Sequence, residues 1–515
     1  MNGPAAQIVL SAYYLVLGTL AVFGAHRLWL LALYYRTRSV HRRPVPADPS
    51  NWPRVTVQLP LYNELFVAER LIQAVCELDY PADRLEVQVL DDSDDETAGI
   101  VAAEVERWRG KGVDILHLRR EDRVGYKAGA LAAGLERASG ELIAVFDADF
   151  VPQPDFLRRT VPYLTEPVAR RGVEPSAGLE DGPRKEPGES SPVGMVQTCW
   201  DHLNRDFSLL TRVQAMLLDA HFLIEHAARS AAGRLFNFNG TAGVWRRQAI
   251  VDAGGWQHDT LTEDLDLSYR AQLAGWRFLF LPNVKVPAEL PVDVHAFKRQ
   301  QFRWAKGSVQ TARKLLARVV SARLPLATKV EAVFHLVSNI CYPLMTGLSL
   351  LIFPAMVLRW DDDPLLLLRV DLPLFVFATL SVLAYFLASQ VERGAGWRRP
   401  LRILIPLMAL GIGLAVNNSR AVVEGLRREV GVFERTPKYR IGGPGGRDGA
   451  ARRGFRYRVT ADRSALLEGL LAAFFVGCFA LAGSTAMWES LPFLWLFLHG
   501  YSYMLYLSLE SELTS

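Results

Sequence analysis

Apolar runs long enough to cross a bilayer sit at the two ends of this 515-residue chain, and the middle has none. The first is Ile8 to Tyr35, with His26 and Arg27 near one end. About 20 apolar residues suffice for a helix to span the hydrocarbon layer. No small-residue cleavage site follows, so we read a retained helix and not a signal peptide. Arg36, Arg38, Arg42 and Arg43 come next, and positive flanks stay in the cytosol. Pro44 to Pro53 is a proline-rich linker. Near the other end, Val333 to Leu358, Leu372 to Ser389, Leu466 to Met487 and Leu491 to Leu509 read as further spans. Ile403 to Val416 is apolar for only 14 residues, short for a crossing. Arg420, Arg427, Arg428, Arg435, Lys438 and Arg440 follow, and a crossing there would place them outside. We therefore read 403–428 as interfacial and expect five crossings, with the amino terminus outside and 429–463 in the cytosol.

Composition narrows the class. Half of the residues are hydrophobic, and net charge is only +4, which excludes bulk nucleic-acid binding. Cys76, Cys199, Cys341 and Cys478 are too far apart for a metal or disulfide framework, and fit small buried hydrophobes in a reducing compartment.

Between the ends, strand and helix patterns alternate. Val55 to Leu59, Leu85 to Leu90, Ile115 to Leu118 and Leu142 to Phe146 read as strands. Glu64 to Glu77, Ile100 to Arg109 and Lys127 to Ala138 read as helices. This alternation implies an α/β layer with a mostly parallel sheet, whose ligands bind at the strands' carboxyl ends. Asp91, Asp92, Asp147 and Asp149 all sit at such ends. The last two follow an apolar strand at period-2 spacing, so their carboxylates point the same way. That suits a hard divalent cation that must also hold phosphate oxygens. A lone Asp-x-Asp is more simply a solvated turn; here further motifs accompany it.

Residues 169–191 read as an exposed insertion without chemistry. Val193 to Cys199 resumes as a strand, and Leu203 to Ala228 reads as a long helix. Phe238 to Gly243, with Asn239, Gly240 and Thr241, is small enough for close backbone approach to a ligand. Thr262-Glu263-Asp264 opens a helix; Thr262 is placed to cap it, and the acids complement its dipole. Gln300, Arg303 and Trp304 share one face of a basic helix, Phe297 to Arg318, that suits a membrane surface.

The ordered set Asp91-Asp92, Asp147-x-Asp149, Thr262-Glu263-Asp264 and Gln300-x-x-Arg303-Trp304 resembles the signature of processive family 2 glycosyltransferases. These are the cellulose, mannan, chitin and hyaluronan synthases. Pro60-Leu61-Tyr62-Asn63-Glu64, Lys127-Ala128-Gly129-Ala130-Leu131 and the Phe238 to Gly243 run extend the likeness toward cellulose-synthase-like mannan and glucan synthases. Phe433-x-x-Thr436-x-Lys438 resembles the gating loop of cellulose synthase, departing from it at Arg435. The resemblance implies an α/β GT-A (Rossmann-like) cytosolic catalytic domain inserted between α-helical transmembrane segments. The expected organisation is 1–50 as membrane helix and linker, 51–295 as catalytic domain and 296–330 as interfacial helix. Residues 331–515 form the membrane region, with a gating-like loop at 429–440.

The resemblance also implies roles. Asp149 is the first metal ligand, for Mg²⁺ or Mn²⁺, with Asp147 assisting or contacting ribose. Tyr62, Glu64, Asp91 and Asp92 belong to the donor site, the last two holding uridine or guanosine. Lys127 reaches a carboxylate or phosphate. Asp264 is the base of a single inverting displacement, with Glu263 beside it. Arg303 steadies the leaving diphosphate, Trp304 offers a face to the acceptor sugar, and Thr436 and Lys438 close over the diphosphate. The expected partners are a nucleotide sugar of the UDP-glucose or GDP-mannose class, a growing β-glycan, the lipid bilayer of the cell (inner) membrane and an accessory export subunit. The alternative is non-processive transfer of one sugar to a membrane lipid.

Overall fold

The structure, a computed structural model, describes residues 3–42, 46–165, 192–359, 367–427, 431, 435–442 and 464–514. The expected insertion at 169–191 lies outside the described residues. So do Phe433 and most of 429–463.

A seven-stranded sheet organises the centre. Its strands are β1 (Val55–Leu61), β2 (Leu85–Asp91), β3 (Ile115–Leu118), β4 (Leu142–Val145), β5 (Val193–His202), β6 (Gly243–Arg246) and β7 (Arg277–Ala288), in spatial order β3-β2-β1-β4-β6-β5-β7. The first four of the five strands read from sequence are parallel neighbours, as expected. β6 runs antiparallel between β4 and β5, so the sheet is mixed. Neither β6 nor β7 was expected. The small residues of Phe238 to Gly243 hide a strand that starts at Gly243, and β7 alternates too little to stand out.

β-branched and other apolar side chains on successive strands bury both faces, as parallel strands require. Val55, Val57, Leu59, Val87 and Val89 are fully buried under the helices α2 (Ala68–Cys76) and α3 (Thr97–Arg109). The opposite face carries α4 (Tyr126–Arg137) and α5 (Leu209–Ala220). That core continues without a break into Leu30 and Tyr34 of the helix α1 (Pro4–Thr37) and into Tyr385, Phe386 and Leu410. The long helix expected from Leu203 starts only at Leu209, because β5 runs on to His202 and Ser208 caps α5 through Thr211.

Among the described residues five helices are long and apolar enough to cross a membrane: Pro4–Val40, Leu326–Leu358, Arg369–Glu392, Arg398–Gly425 and Ser464–Ser484; the set includes the segment expected to be interfacial and lacks the expected span at Leu491 to Leu509. Their outward faces leave Ile8, Leu15 and Leu466 about 70% exposed, a surface that water penalises and lipid accepts. The protein is a membrane protein. The segment read as a short apolar stretch is one 28-residue helix, about 42 Å long. Sequence alone understated it because Arg398, Arg399, Arg402, Asn417 and Asn418 interrupt the apolar run. The three arginines stay exposed at its start, whereas Asn417 is buried and donates to the Lys298 carbonyl at 3.0 Å.

Both ends of this helix are tied to the same body. Just before it, Arg393 donates to Asp201 and Asp219 of the sheet domain at 2.8 Å each. At its far end Glu424 pairs with Lys306 at 3.3 Å, and Arg313 donates to the Leu426 carbonyl at 2.9 Å. We label the helices that follow α5 as α6 (Glu263–Leu273), α7 (Val294–Ser321), α8 (Arg398–Gly425), α9 (Ser464–Ser484) and α10 (Leu491–Thr514). Asp293 starts α7 by accepting from Ala296 N at 2.8 Å. Deeper along α7, the buried Lys298 ammonium meets Glu468 of α9 at 2.5 Å and Ser508 of α10 at 2.8 Å.

Of the four cysteines, Cys199 and Cys478 are buried and all are free thiols.

Candidate active site

The register of the parallel strands brings the acidic residues together. Leu61 lies beside Asp91, and Asp92 N donates to the Leu61 carbonyl at 3.0 Å, so β1 and β2 end level. β4 ends next to them, and Asp147 and Asp149 follow it. Asp147 N is held by the Thr241 hydroxyl at 2.8 Å. The loop after these ends forms a cleft lined by Tyr62, Glu64, Asp92, Lys127, Asp147, Asp149, Asn239 and Gly240. Glu263 and Asp264 close one end of it, and Gln300, Arg303 and Trp304 of α7 enter from above.

Two expected members do not line it. Asp91 is fully buried beneath the floor, where it accepts from Ser93 N and pairs with His117 at 2.9 Å. Its fixed position supports Ser93, whose hydroxyl in turn holds Asn63 N at 2.9 Å. Thr241 is likewise fully buried and serves Asp147 from below. The helix-cap expectation for Thr262 also fails, since its hydroxyl meets Thr311 of α7 at 3.2 Å and caps nothing.

Cations meet the carboxylates on the strand side. The Lys127 ammonium donates to Asp147 at 2.5 Å and to the Gly240 carbonyl at 2.8 Å, with Glu263 at 3.9 Å. Burial works against this charge, but Asp147, Glu263 and Asp264 outweigh it and raise the lysine pKa. Arg120 grips both oxygens of Asp92 at 3.0 and 2.5 Å. Lys438 reaches Asp149 at 2.7 Å. The short segment 435–442 that carries Lys438 is seated on Glu289, whose two oxygens accept from Tyr439 N and Ile441 N at 2.8 and 3.2 Å. Arg435, the departure from the gating-loop pattern, approaches Glu64 at 3.6 Å. Burial still pushes Glu64 up to about 8. Thr436 is buried against the same cleft.

The other end is less compensated. Burial, then the neighbouring Glu263 charge, pushes Asp264 up to about 7, and Lys127 only partly offsets this. Glu263 is raised by burial as well. Asp264 keeps one oxygen on Leu265 N at 2.7 Å. Asp266, on the same helix, is excluded as a reacting group because Arg270 and Lys314 hold it at 2.7 and 3.0 Å in the core. Two glycines make the geometry possible. A side chain at Gly240, where φ is +79°, would come within 2.9 Å of an Asp264 oxygen. One at Gly307 would strike Thr262 at 2.6 Å, so α7 could not bring Trp304 down onto the start of α6.

Sequence reasoning missed Arg123, Glu289 and Arg435. The Arg123 guanidinium lies 3.2 Å from the centre of the Tyr62 ring on the cleft wall. Glu289 follows the unexpected strand β7, so no strand-end pattern pointed to it.

Among the described residues no three His, Cys, Asp or Glu side chains converge on a metal position. Asp147 and Asp149 both line the cleft. A Mg²⁺ or Mn²⁺ site of this type takes one or two carboxylates and leaves the remaining places to phosphate oxygens and water. Asp149 is buried and already faces one cation, the Lys438 ammonium, so the donor set fits such an ion.

The chain matches the family described as "Glycosyltransferase like family 2" over residues 53–307. It is 34% identical over 437 residues to glucomannan 4-beta-mannosyltransferase 1 of Cyamopsis tetragonoloba, covering 83% of this chain and 76% of that one. Glucomannan 4-beta-mannosyltransferase 1 of Oryza sativa subsp. japonica is 41% identical over 327 residues, 61% of this chain and 58% of the relative. Glucomannan 4-beta-mannosyltransferase 2 of Arabidopsis thaliana is 44% identical over 275 residues, 53% and 47%. The chain thus spans about half the length of these last two. With the sheet topology, the acids at the strand ends and a relative matched along most of its length, the chain belongs to glycosyltransferase family 2 and its catalytic domain has the GT-A fold.

Proposed function

We propose that the protein is an inverting hexosyltransferase that lengthens a β-glycan from a nucleotide sugar at the membrane surface. The observation that carries this reading is the shared cleft. Asp264, the carboxylate closest to a neutral-range pKa, opens onto the same space as the Asp147–Asp149 pair. The names of the relatives favour mannose, and so a GDP-mannose class donor, with a β-1,4 linkage.

The residues divide the work. Arg123 and Tyr62 receive the nucleobase, and Asp92, held by Arg120, faces the ribose. Asp147 and Asp149 would hold the divalent cation, which when bound balances the charge of the leaving diphosphate. Lys438 then turns from Asp149 to the phosphates and Thr436 joins it there, so the segment 435–442 covers the donor. Arg303 adds fixed positive charge where the diphosphate leaves. The acceptor sugar rests on Trp304. As its hydroxyl oxygen bonds the anomeric carbon, Asp264 takes the hydroxyl proton and the bond to the diphosphate breaks. A base on the face opposite the leaving group gives inversion, and hence a β-linkage from an α-linked donor.

The contacts at the two ends of α8, to Asp201 and Asp219 through Arg393 and to Lys306 and Arg313, support an interfacial placement of this helix, with segment 435–442 on the catalytic side. That side is the cytosol by the arginine-rich flank after α1. The compartment proposed is the cell membrane, with the glycan leaving through the helices and an accessory subunit taking over export.

The test uses purified full-length protein, a panel of nucleotide sugars and digestion of the product with linkage-specific glycosidases. Incorporation of a hexose into β-linked polymer is expected. A single sugar on lipid, or no transfer from any donor, would refute the polymer reading.

A further inference from the structure

Between α5 and the short helix Ala227–Ala231 the chain makes one π-helical stretch, His221–His226. Such a turn closes on the fifth residue instead of the fourth, and it recurs at functional sites. In an α-helix residues five apart face different ways; here they align. The rings of His221 and His226 lie 4.3 Å apart, and both reach the loop before β6. His226 bonds the Asn237 carbonyl at 2.9 Å and is held neutral by burial. His221 Nε2 meets the Asn239 amide nitrogen at 2.9 Å, while its Nδ1 meets Glu225 at 3.1 Å.

These contacts fix a direction. A carboxylate only accepts, so the ring proton sits on Nδ1 and Nε2 accepts from Asn239. The amide nitrogen is thereby turned to His221 and the oxygen away from it. Its oxygen is buried without a hydrogen-bond partner, although Asn239 lines the cleft. The next residue, Gly240, abuts Asp264. Glu225 is itself anchored, with Arg229 at 3.6 Å and, beyond it, Glu331 bonded to Arg229 at 3.0 Å and to His26 of α1 at 2.9 Å.

We propose that His221 is a positioning residue for transfer: it sets the Asn239 amide so that Oδ1 accepts a hydroxyl of the acceptor sugar beside Asp264. A buried acceptor atom with no partner is costly unless a ligand supplies one. The acceptor sugar is such a ligand, brought to that point by the reaction. This assignment rests on the hexosyltransferase reading above.

The test measures acceptor KM and nucleotide affinity on the full-length chain, with β-1,4-mannotetraose as acceptor. His221→Phe raises acceptor KM about tenfold, the loss expected for one oriented hydrogen bond, and leaves nucleotide affinity unchanged. His221→Gln keeps an acceptor atom near the same place and restores KM to within about threefold of wild type. Asn239→Ala matches His221→Phe, and the double variant is no worse than Asn239→Ala, because the two act through one contact. If His221→Phe does not fold, Glu225→Gln serves. Its amide donates to Nδ1, moves the ring proton to Nε2, and turns Asn239 the wrong way, again raising KM. Unchanged acceptor KM, or additive losses in the double variant, overturns the assignment alone. A wild type that transfers nothing to the tetrasaccharide overturns the reading of the reaction and the assignment with it.

Discussion

The strand-end half of the cleft and the α6 half are built from the same residue types and treat charge in opposite ways. At the strand ends each carboxylate faces a cation: Asp147 has Lys127, Asp149 has Lys438 and Asp92 has Arg120. At the start of α6, Glu263 and Asp264 are buried and crowd each other, and the charges of Lys127 and, for Glu263, Arg303 offset this only in part. The first half resembles a site whose counter-ions are to be exchanged on binding. The second is a site kept short of counter-charge, which is what makes a carboxylate basic. On the proposed function, one helix start and one set of strand ends divide donor handling from proton transfer.

The largest effect should come from emptying the basic half. Asp264→Asn is expected to lower turnover by about 10²–10⁴-fold, with nucleotide affinity unchanged. Donor binding and turnover on one purified variant check this; retained turnover would transfer the role to Glu263. The stability sign runs the other way. The folded Asp264 pKa lies above the ordinary 3.8, so the folded state holds its proton more tightly than the unfolded one. Its contribution is most favourable at low pH and declines as pH rises through about 7. Asn carries no charge, so the variant gains stability relative to wild type at pH 8 compared with pH 5, as melting at the two pH values will report.

Asp149→Ala breaks the exchange half. Turnover should fall about 10²–10³-fold, and nucleotide binding should lose its Mg²⁺ or Mn²⁺ dependence. Metal titrations of nucleotide affinity decide, and an unaltered metal dependence would show that the ion sits elsewhere. A milder probe is the pH profile of the wild type. A base of pKa about 7 in the free protein makes kcat/KM rise tenfold per pH unit below that value and level off above it. A profile flat from pH 5 to 9 would place proton transfer outside the limiting step. The smallest effects compare two helix starts. Asp293→Ala loses a real cap and should cost about 1 kcal/mol, whereas Thr262→Ala removes no cap hydrogen bond and should not cost that. Denaturant midpoints of the two variants test the contrast.

Much of this division was legible in the residues themselves. Strand-end acids announce their location because period-2 geometry and parallel register are properties of short sequence windows. Asp147, Asp149, Glu263, Asp264 and the three side chains of α7 were found that way or through the family signature. Asp91 and Thr241 could not be separated from the lining residues, because one residue of register decides whether a side chain faces the cleft or the floor. Glu289 and His221 were out of reach for another reason. One acts after a strand with little alternation, and the other depends on a π turn that no spacing rule marks. The length of α8 was hidden because exposed arginines open it and because Asn417 and Asn418 find their partners only in the assembled molecule.

The pinning of α8 also bears on how the chain is made. An apolar helix of this length is a substrate for membrane insertion machinery, yet a molecule with it threaded across the bilayer would carry segment 435–442 to the far side, away from Asp149. The residues that hold α8 back, Asp201, Asp219, Lys306 and Arg313, all precede it in the chain. Synthesis at about 5–20 residues per second gives the catalytic domain several seconds to fold before α8 is complete. On the proposed interfacial placement of α8, the order of the elements works as a timing device, in which an already folded domain captures its own next helix before the membrane does.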